Sequence, residues 1–544
     1  MAGFNLADLF ELVCDAVPDR EVIVSPARRL TFAELDARAN RLANALADLG
    51  INAGDHIGLQ LLNGSEYIEG MLAAFKLSAV PINVNFRYVE GELRHLYDDA
   101  DLIAVIHHQQ FSPRVGAVVP DAATVRHLLV VADSSGAPRA SGALDYETTL
   151  AAASDSRPDG TGRSGDDRYI AYTGGTTGLP KGVVWRQEDI FFAAMGGGDV
   201  FQSGNFIATP GELLERLPEV GGTILTTPPL MHVSAQWGVF HSLFAGGRVV
   251  FPPQGAFDAA AIWSLVAAEG VNILTIVGDA MARPLADTYA EALAAGTPYD
   301  ASSLFVVGSG GAVLSTQAKA KLTELLPSLM VVDGFGSSET GIVGSKMHVS
   351  GDTTTAPKFT VNAQTQVLCE DGRPVAPGSG AVGRLARKGF VPLGYYKDEA
   401  KTKATFVEID GERWVLPGDH ATVDADGTVV LLGRGSTSIN TGGEKVYPEE
   451  VETALMTHDS VADVIVVGVP DDRFGERVVA VVAAADGAAP SLDALQGHAR
   501  SALAGFKIPR ELVLVDAVER TPAGKPDYAW AKRVATEGTI DGQL

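Results

Sequence analysis

The chain has 544 residues, of which 46% are hydrophobic and 20% are charged. That length exceeds what one hydrophobic core usually holds, so we expect at least two domains. The formal net charge of −25 opposes a general role in binding nucleic acid, because a phosphate backbone would be repelled. The 2 cysteines are too few for a disulfide framework or a cysteine-based metal cluster.

The sequence also gives expectations about the compartment. No uninterrupted apolar run reaches about 18 residues, the length that a membrane-spanning helix needs, so stable membrane insertion is not expected. The segment Met1–Arg20 is a mixed amphipathic stretch and lacks the basic and then apolar pattern of a secretion signal. The cytoplasm is therefore the expected location.

The N-terminal part of the chain predicts alternating helices and strands. Residues 5–17 read as an amphipathic helix, and the capping box Thr31-Phe-Ala-Glu34 opens a second helix. A short apolar strand at 57–62, a helix at 65–77 and a strand at 80–84 follow. This order is a βαβ unit and predicts a parallel sheet.

A polar connection leads to the most informative stretch of the chain. Residues 134–167 are rich in Ser, Gly, Pro and Asp, which predicts a surface loop. After them, residues 170–184 combine an apolar entry with a loop of glycines and threonines and a lysine. Glycines let backbone amides approach phosphate oxygens, threonines add hydroxyl donors, and the lysine adds a cation. The loop is not a Walker A motif, since Pro180 precedes the lysine and Gly182 follows it. We therefore predict a polyphosphate site formed by Thr173, Gly174, Gly175, Thr176, Thr177, Gly178 and Lys181.

Residues 172–183 resemble the phosphate-loop signature of the adenylate-forming superfamily, which contains acyl-CoA synthetases, luciferases and peptide-synthetase adenylation domains. The resemblance implies an α/β fold with a large N-terminal domain and a small, mobile α+β C-terminal domain. It implies that ATP activates a carboxylic acid to an acyl-adenylate with release of pyrophosphate, and that a thiol then takes the acyl group. The predicted boundaries are 1–433 for the large domain, 434–436 for a hinge and 437–544 for the small domain.

The next stretches concern the acid. Residues 194–224 have no clean periodicity, and the sequence leaves open whether they form a lid or a variable surface loop. Residues 228–237 resemble the family motif that gates the acyl pocket, which gives His232 the gating place and puts Leu230, Val233 and Trp237 on the apolar wall. This wall, the small residues Gly196–Gly198 and the Ser436 variant of the hinge together favour a large apolar acyl group over acetate.

Two glycine-rich segments follow strands predicted at 304–307 and 330–332, as ligand-binding segments do at the carboxyl ends of parallel strands. By resemblance, the first forms one side of an adenine pocket. The second matches the aromatic-Gly-x-[Ser/Thr]-Glu signature, with Phe335 expected to stack on adenine. The predicted nucleotide contacts here are Gly310, Gly311, Ala312, Asp333, Gly334, Phe335, Gly336, Ser337 and Ser338.

Glu339 closes this signature and is the predicted metal ligand. ATP chemistry requires Mg²⁺, a hard cation that takes few protein carboxylates together with phosphate oxygens. The signature contains one carboxylate, that of Glu339, and we assign it to the metal together with the Thr176 hydroxyl.

The C-terminal motifs complete the resemblance. Asp419 holds the place of the family's ribose-binding aspartate, and Arg434, about fifteen residues later, should reach ribose or phosphate. The hinge position is Ser436 and the next family lysine is Asn440, so a charge-based hinge mechanism is not carried over. The resemblance gives the CoA step to Gly442 and Gly443. It places Lys525 of the Thr-Pro-Ala-Gly-Lys motif on a mobile loop that serves adenylation.

Together these motifs predict an ATP-dependent acyl-CoA synthetase with Lys525, Glu339, Thr176 and Lys181 as catalytic residues and with ATP, Mg²⁺ and CoA as its small molecules. The motif style most resembles actinobacterial synthetases for steroid side-chain or other bulky acids. The alternatives are a ligase that loads a carrier protein with the acyl group, and a catalytically silent nucleotide-binding homologue. The sequence leaves open whether the acid is a fatty acid or a steroid side-chain acid, and whether the protein is a homodimer.

Overall fold

A computed structural model describes residues 3–173, 180–199, 204–312, 314–351, 358–434, 437–441, 444–471, 475–521 and 525–537. For residues 434, 444 and 445 only the backbone is described. Within the described ranges, every helix is too short or too polar to cross a bilayer.

The strands alternate with helices through most of the chain. Those of the first part are β1 (Glu21–Ser25), β2 (Arg28–Thr31), β3 (His56–Gln60), β4 (Val80–Asn83), β5 (Leu102–His108), β6 (His127–Val131), β7 (Leu144–Asp145), β8 (Arg168–Thr173) and β9 (Lys181–Arg186). The middle part contains β10 (Thr223–Thr226), β11 (Arg248–Val250), β12 (Ile273–Ile276), β13 (Val306–Ser309), β14 (Met330–Ser337), β15 (Gly341–His348), β16 (Lys358–Val361), β17 (Thr365–Leu368), β18 (Gly383–Lys388) and β19 (Gly394–Tyr395). The last part contains β20 (Phe406–Ile409), β21 (Glu412–Val415), β22 (Asp419–Val423), β23 (Val429–Arg434), β24 (Ile439–Thr441), β25 (Glu444–Val446), β26 (Val461–Asp471), β27 (Gly475–Ala484) and β28 (Glu511–Val515).

The helices are α1 (Leu6–Ala16), α2 (Phe32–Asp48), α3 (Ser65–Lys76), α4 (Glu90–Asp99), α5 (Ser112–Val118), α6 (Tyr146–Ala152), α7 (Gln187–Ala194), α8 (Glu212–Glu215), α9 (Val233–Phe244), α10 (Ala259–Glu269), α11 (Gly278–Ala294), α12 (Thr316–Leu325), α13 (Glu399–Thr405), α14 (Pro448–Leu455), α15 (Leu492–Ala499) and α16 (Tyr528–Glu537). Short 3₁₀ turns lie at Gln109–Phe111, Val119–Asp121 and Gly505–Lys507.

The described strands form three sheets, and the α/β prediction is confirmed. An eight-stranded sheet has the order β19-β9-β8-β4-β3-β5-β6-β7. Within it β3 pairs with β4 in parallel across α3, which confirms the predicted βαβ unit. The capping box is also present: the Thr31 amide donates to Glu34 Oε2 at 2.8 Å, and the Glu34 amide donates to Thr31 Oγ1 at 3.2 Å.

A fifteen-stranded sheet runs in the order β2-β1-β11-β10-β12-β13-β14-β15-β16-β23-β22-β18-β21-β20, with β17 paired to β18. Strands β1, β11, β10, β12, β13 and β14 are parallel neighbours. From β14 onwards the neighbours are antiparallel. The carboxyl ends of the parallel strands therefore lie beside a region where the chain turns back in hairpins.

The largest core lies between these two sheets. It contains side chains of α1, α2, α3, α7 and α9 together with residues of both sheets, such as Ile57 of β3 and Ile224 of β10. The third sheet, with the order β25-β24-β27-β26 and with β28 beside β27, has separate cores against α14, α15 and α16. Two domains with independent hydrophobic cores result, as the length predicts.

The prediction of a plain surface loop at residues 134–167 is wrong. This segment contains β7, which extends the eight-stranded sheet, and α6, whose Tyr146 and Leu150 are buried. The sequence signal was weak because α6 is short and contributes few side chains to the core.

The rest of that segment is fixed by ion pairs. Arg157 donates to Asp36 at 3.0 Å, and Arg163 donates to Glu11 at 3.1 Å. Both carboxylates also accept hydrogen bonds from Lys76, whose buried ammonium lies 2.5 Å from Glu11 and 2.7 Å from Asp36. Charges that leave water need paired partners, so this network fastens the segment to α1, α2 and α3.

Candidate active site

The ends of β13 and β14 form a narrow edge made of glycines. Ser309 and Asp333 are cross-strand partners, so the predicted adenine segment that begins at Gly310 lies beside Gly334. A Cβ at Gly310 would be 3.6 Å from the Gly334 carbonyl oxygen, and Gly311 has a φ of +82°. Gly311 and Gly334 are exposed and Ala312 is half-buried. Backbone groups of both strands are therefore open to a flat ligand.

Asp333, at this edge, is held by a lysine that the sequence analysis did not assign. Lys319 of α12 donates to Asp333 Oδ2 at 2.7 Å. Burial raises the pKa of the Asp333 carboxyl above its ordinary value, and the Lys319 ammonium opposes that rise. This ion pair connects α12 to the end of β14 and orients the Asp333 carboxylate.

The aromatic-Gly-x-Ser-Glu signature lies in a β-hairpin. The strand predicted at 330–332 extends to Ser337, because β15 pairs with it from Val331 to Ser337. A Cβ at Gly336 would overlap the Gly341 carbonyl, so the hairpin requires glycine there. Phe335 is half-buried, with its ring centroid 5.4 Å from that of Phe359. Its ring thus has a fixed place and keeps some exposure.

Glu339 lies in the tight turn between β14 and β15. The turn is closed by the Thr340 amide, which donates to the Ser337 carbonyl at 3.1 Å. Trp185 Nε1 of β9 donates to the Ser338 carbonyl at 2.9 Å. Tyr395 of β19 donates through its hydroxyl to Glu339 Oε1 at 2.8 Å. Two neighbouring strands therefore fix the turn and its carboxylate.

Lys181 begins β9, immediately after the phosphate-loop segment. Its ammonium lies 2.5 Å from Asp398 Oδ2, and the lysine side chain is 45% exposed. The hydrogen bond from Lys181 lowers the pKa of the Asp398 carboxyl. Strand β19 pairs with β9, Tyr395 opposite Val183, so the partners of Lys181 and of Glu339 come from one short segment.

The side chain of Asn83 joins the phosphate-loop strand to the acyl motif. It lies buried at the end of β4. Its amide nitrogen donates to the carbonyls of Tyr172 and Met231, both at 2.7 Å, and its oxygen accepts from the Tyr172 amide at 2.8 Å. These contacts fix the backbone next to Thr173 and next to His232.

The predicted acyl motif starts helix α9. His232 precedes its first residue, and Val233 and Trp237 are buried in the core between the sheets. Burial is the main reason why the pKa of the His232 imidazole is lowered to about 4, and the charges of Arg87 and Lys525 act in the same direction.

Residues 194–198 are packed tightly, whereas much of 204–222 is exposed. All of Gly196–Gly198 have a positive φ, of 87°, 55° and 73°. A Cβ at these positions would meet the ring of His241 at 3.2 Å, the rings of Phe192 and Phe206 at 2.7 Å, and Ile207 at 2.7 Å, respectively. The space that the three glycines leave is thus filled by neighbouring side chains, in contrast to the expectation that it serves the acyl group.

Asp419 and Arg434 are direct cross-strand partners on β22 and β23. Their separation in the chain therefore corresponds to contact in the sheet. Asp419 is 8% exposed. Of Arg434 only the backbone is described, so its predicted reach to ribose or phosphate stays a prediction.

The interface between the domains lies next to this pair. Gly433 has a φ of +114°, and a Cβ there would overlap the Glu449 carboxylate of α14. The rings of His420 and Tyr447 lie 5.4 Å apart. The Thr521 amide donates to the Lys525 carbonyl at 2.8 Å. The predicted residues Gly174, Gly175, Thr176, Thr177, Gly178, Ser436, Gly442 and Gly443 lie outside the described residues.

The buried histidines predict how stability depends on pH. The pKa values of His107, His108 and His232 are each lowered to about 4 from the ordinary 6.5, because burial disfavours the imidazolium. Between pH 6.5 and 4 the unfolded chain binds protons that the folded chain does not bind. The free energy of unfolding should therefore fall as the pH is lowered through this window. Above pH 6.5 the histidines are neutral in both states, and this loss of stability is absent.

Each such histidine contributes up to about 1.4 kcal/mol per pH unit to this slope. Urea unfolding of the wild type and of His232→Gln at several pH values between 7 and 4 measures the effect. We expect a shallower slope for the variant. An identical slope would show that His232 takes up its proton equally in both states.

Sequence reasoning missed Asn83, Lys319, Tyr395 and Asp398. Asn83, Tyr395 and Asp398 act through partners that are distant in the chain, such as Lys181 for Asp398 at a separation of 217, whereas the partner of Lys319 is 14 residues away. The one local signal was Gly394-Tyr-Tyr-Lys-Asp398, a turn-like segment followed by the helix that Asp398 caps.

Comparisons with known proteins agree with this geometry. The family described as AMP-binding enzyme matches residues 10–396, and its C-terminal domain matches residues 450–525. The chain is 48% identical over 534 residues to a protein of Rhodococcus rhodochrous named 3-oxocholest-4-en-26-oate–CoA ligase, covering 97% of this chain and 96% of that protein.

A protein of Mycobacterium marinum, named medium/long-chain-fatty-acid–CoA/3-oxocholest-4-en-26-oate–CoA ligase, is 48% identical over 536 residues, covering 97% of this chain and 96% of that protein. Among solved structures, the anthranilate CoA ligase AuaEII in complex with anthranoyl-AMP superposes with a TM-score of 0.81 at 22% identity, covering 98% of this chain and 97% of that chain. At this sequence identity, the structural similarity shows that the two proteins share a fold. From the matched families and the relatives along its whole length, the chain belongs to the AMP-binding enzymes, the adenylate-forming superfamily.

Proposed function

We propose that this chain is an AMP-forming acyl-CoA ligase for a carboxylic acid with a large apolar acyl group. The observation that carries the proposal is that Lys181 and Glu339, from distant parts of the chain, both pair with the short segment 395–398. The charge of Lys525 also acts on His232 of the acyl motif. The relatives with CoA-ligase names support the same reaction.

The first half-reaction joins the acid to the α-phosphorus of ATP and releases pyrophosphate. This step depends on positioning and charge stabilisation and needs no protein nucleophile. The glycine edge at 310–312 and 334 would bind adenine with Phe335, Asp419 would accept from the ribose hydroxyls, and Lys181 would exchange Asp398 for a phosphate oxygen. Lys525 would neutralise charge between the carboxylate and the α-phosphate.

A divalent cation fits this site. Glu339 Oε1 accepts from Tyr395, and the second oxygen accepts no hydrogen bond from the described residues. No group of three or more His, Cys, Asp or Glu side chains in the described part of the chain forms a dedicated metal cage. Mg²⁺ commonly uses one or two carboxylates together with substrate phosphates, and it stabilises charge on the leaving phosphate oxygens. Glu339 would hold it, with the Thr176 hydroxyl.

In the second half-reaction the CoA thiol attacks the acyl-adenylate and AMP leaves. The two steps need different groups at one centre, which favours rotation of the C-terminal domain about residues 434–436. Such a rotation would withdraw Lys525 and bring Gly442 and Gly443 to the thiol. It would also separate Glu449 from Gly433 and Tyr447 from His420, the contacts that form the present interface.

One experiment separates this function from its alternatives. Pyrophosphate release on adding MgATP and an acid is expected of a ligase, and a silent nucleotide-binding protein would release none. Consumption of free CoA, followed with a thiol reagent, then distinguishes an acyl-CoA ligase from an enzyme that loads a carrier protein. Release of pyrophosphate without consumption of CoA would contradict the proposal. Size-exclusion chromatography with light scattering would test the homodimer.

The acid gives a quantitative prediction. Val233 and Trp237 are buried in the apolar core on the helix that begins directly after His232, which supports an apolar wall. Each buried methylene contributes about 0.8 kcal/mol, so octanoate should exceed acetate in kcat/KM by roughly three powers of ten. Specificity constants for acetate, octanoate, palmitate and a cholestenoate-type acid measure it, and the order of the last two would assign the acid. A preference for acetate would contradict the apolar pocket.

A further inference from the structure

The backbone of Glu339 is fixed by hydrogen bonds of the turn, but a further contact is needed to hold its carboxylate in one orientation. The turn of β14 and β15 is held by the Trp185 indole on the Ser338 carbonyl and by the Ser337–Thr340 hydrogen bonds. A glutamate side chain has three rotatable bonds, so a rigid backbone alone leaves its carboxylate in several places. The contact found on the carboxylate is the Tyr395 hydroxyl at 2.8 Å.

The Tyr395 side chain is itself immobilised. The residue is 8% exposed, and its backbone is paired with Val183 on β9. Its amide donates to Thr402 Oγ1 at 2.9 Å, and its ring lies against the edge of Phe406 with 6.0 Å between centroids. These contacts hold the phenol oxygen at one point.

The ammonium group of Lys401 makes the Tyr395 hydroxyl a stronger hydrogen-bond donor. The Lys401 ammonium lies 4.1 Å from the centroid of the Tyr395 ring. A positive charge over an aromatic face draws electron density from the phenol oxygen into the ring. The hydroxyl hydrogen becomes more positive, which makes it a better hydrogen-bond donor to a carboxylate. The hydroxyl donates to one of the two carboxylate oxygens, Oε1.

The same segment reaches the phosphate-loop lysine. Asp398, three residues after Tyr395, accepts from the Lys181 ammonium at 2.5 Å and caps α13 by accepting from the Lys401 amide at 2.9 Å. The Thr402 hydroxyl that fixes the Tyr395 amide donates to the Asp398 carbonyl at 2.7 Å. Residues 395–402 are therefore one rigid unit in contact with both charged groups.

We propose that Tyr395 is a positioning residue that aims the Glu339 carboxylate, and thereby sets the affinity of the site for the divalent cation that accompanies ATP. The inference rests on the proposed function in taking Glu339 as the metal ligand. Groups that orient a metal ligand by hydrogen bonding typically change metal affinity by about tenfold to a hundredfold when they are removed.

The variant Tyr395→Phe tests this, because it removes the hydroxyl and keeps the ring. Calorimetry with a non-hydrolysable ATP analogue, at increasing Mg²⁺ and in EDTA, reports binding without turnover. We expect the Mg²⁺ concentration for half-maximal binding to rise by about tenfold or more. Binding in EDTA should stay within about twofold of wild type, since the nucleotide contacts themselves are retained.

The neighbouring tyrosine provides a matched control. The hydroxyl of Tyr396 also donates to a carboxylate at 2.8 Å, but that carboxylate belongs to Asp101, which pairs with Lys397 outside the candidate active site. Tyr396→Phe should leave the Mg²⁺ dependence unchanged. An equal shift in both variants would show a general loss of order near β19 and would overturn the proposal.

A double-mutant cycle with Glu339→Gln shows whether Tyr395 acts through Glu339. Glu339→Gln alone should raise the Mg²⁺ requirement, and adding Tyr395→Phe should then change it by less than about twofold. Additive effects would assign Tyr395 a separate role. An unchanged Mg²⁺ dependence in Glu339→Gln would remove Glu339 from the metal shell and Tyr395 with it. Acid-dependent pyrophosphate release by the wild type distinguishes these failures from failure of the proposed function.

Discussion

Replacing Lys525 by alanine should lower acid-dependent pyrophosphate release by about a hundredfold to a thousandfold, the usual cost of removing one charge-stabilising group from a transition state. Conversion of supplied acyl-adenylate to acyl-CoA should stay close to wild type. The reason is that Lys525 would neutralise charge between the carboxylate and the α-phosphate, and its charge already acts on His232 of the acyl motif. A second orientation of the domain would withdraw it before the thiol attacks.

The two half-reactions are measured separately, by pyrophosphate release and by acyl-CoA formed from synthetic acyl-adenylate. Lys532→Ala is a suitable control, because this lysine belongs to the same domain and pairs with Glu476 at 3.5 Å on an exposed surface. The control should retain both activities. Equal losses in both steps for Lys525→Ala would contradict a lysine that serves only the first.

The second large effect is expected at Asn83. Asn83→Ala removes three hydrogen bonds of 2.7 to 2.8 Å from a buried position and should cost about 3 kcal/mol in the free energy of unfolding. It should also slow adenylation by about a hundredfold, because Thr173 and His232 would lose a common support and small displacements of reacting groups are costly. Urea unfolding and pyrophosphate release at saturating substrates measure the two effects.

The control lies two residues further on. Asn85 is half-buried and accepts from the Arg87 amide at 2.9 Å, so Asn85→Ala should change both quantities much less than Asn83→Ala does. If Asn83→Ala lost stability but kept full activity, Asn83 would support the fold alone. Full stability with reduced activity would place its effect on the site.

Local patterns in the sequence were sufficient for much of the fold. The capping box at Thr31, the βαβ unit around α3 and the strands that end at the candidate site all follow from periodicity and from turn residues. Boundaries were less accurate. The strand predicted at 304–307 is β13 at Val306–Ser309, because a turn closed by the Leu304 amide on the Ala301 carbonyl delays it.

Pairing between distant segments was beyond reach of such patterns. The extension of β14 to Ser337 depends on β15, and alternating glycines hide the strand from a search for apolar periodicity. For the site, the motifs identified Lys181 and Glu339, but nothing in either motif indicates Asp398 or Tyr395, since those contacts join strands that meet only in the folded chain.

The three glycines at 196–198 bear on attempts to change which acid the enzyme accepts. A substitution at any of them would force a side chain into a left-handed backbone and against His241, Phe192, Phe206 or Ile207. Libraries randomised at these three codons should consist mostly of unfolded protein. Diversity aimed at the choice of acid therefore belongs at positions whose backbone does not require a left-handed conformation.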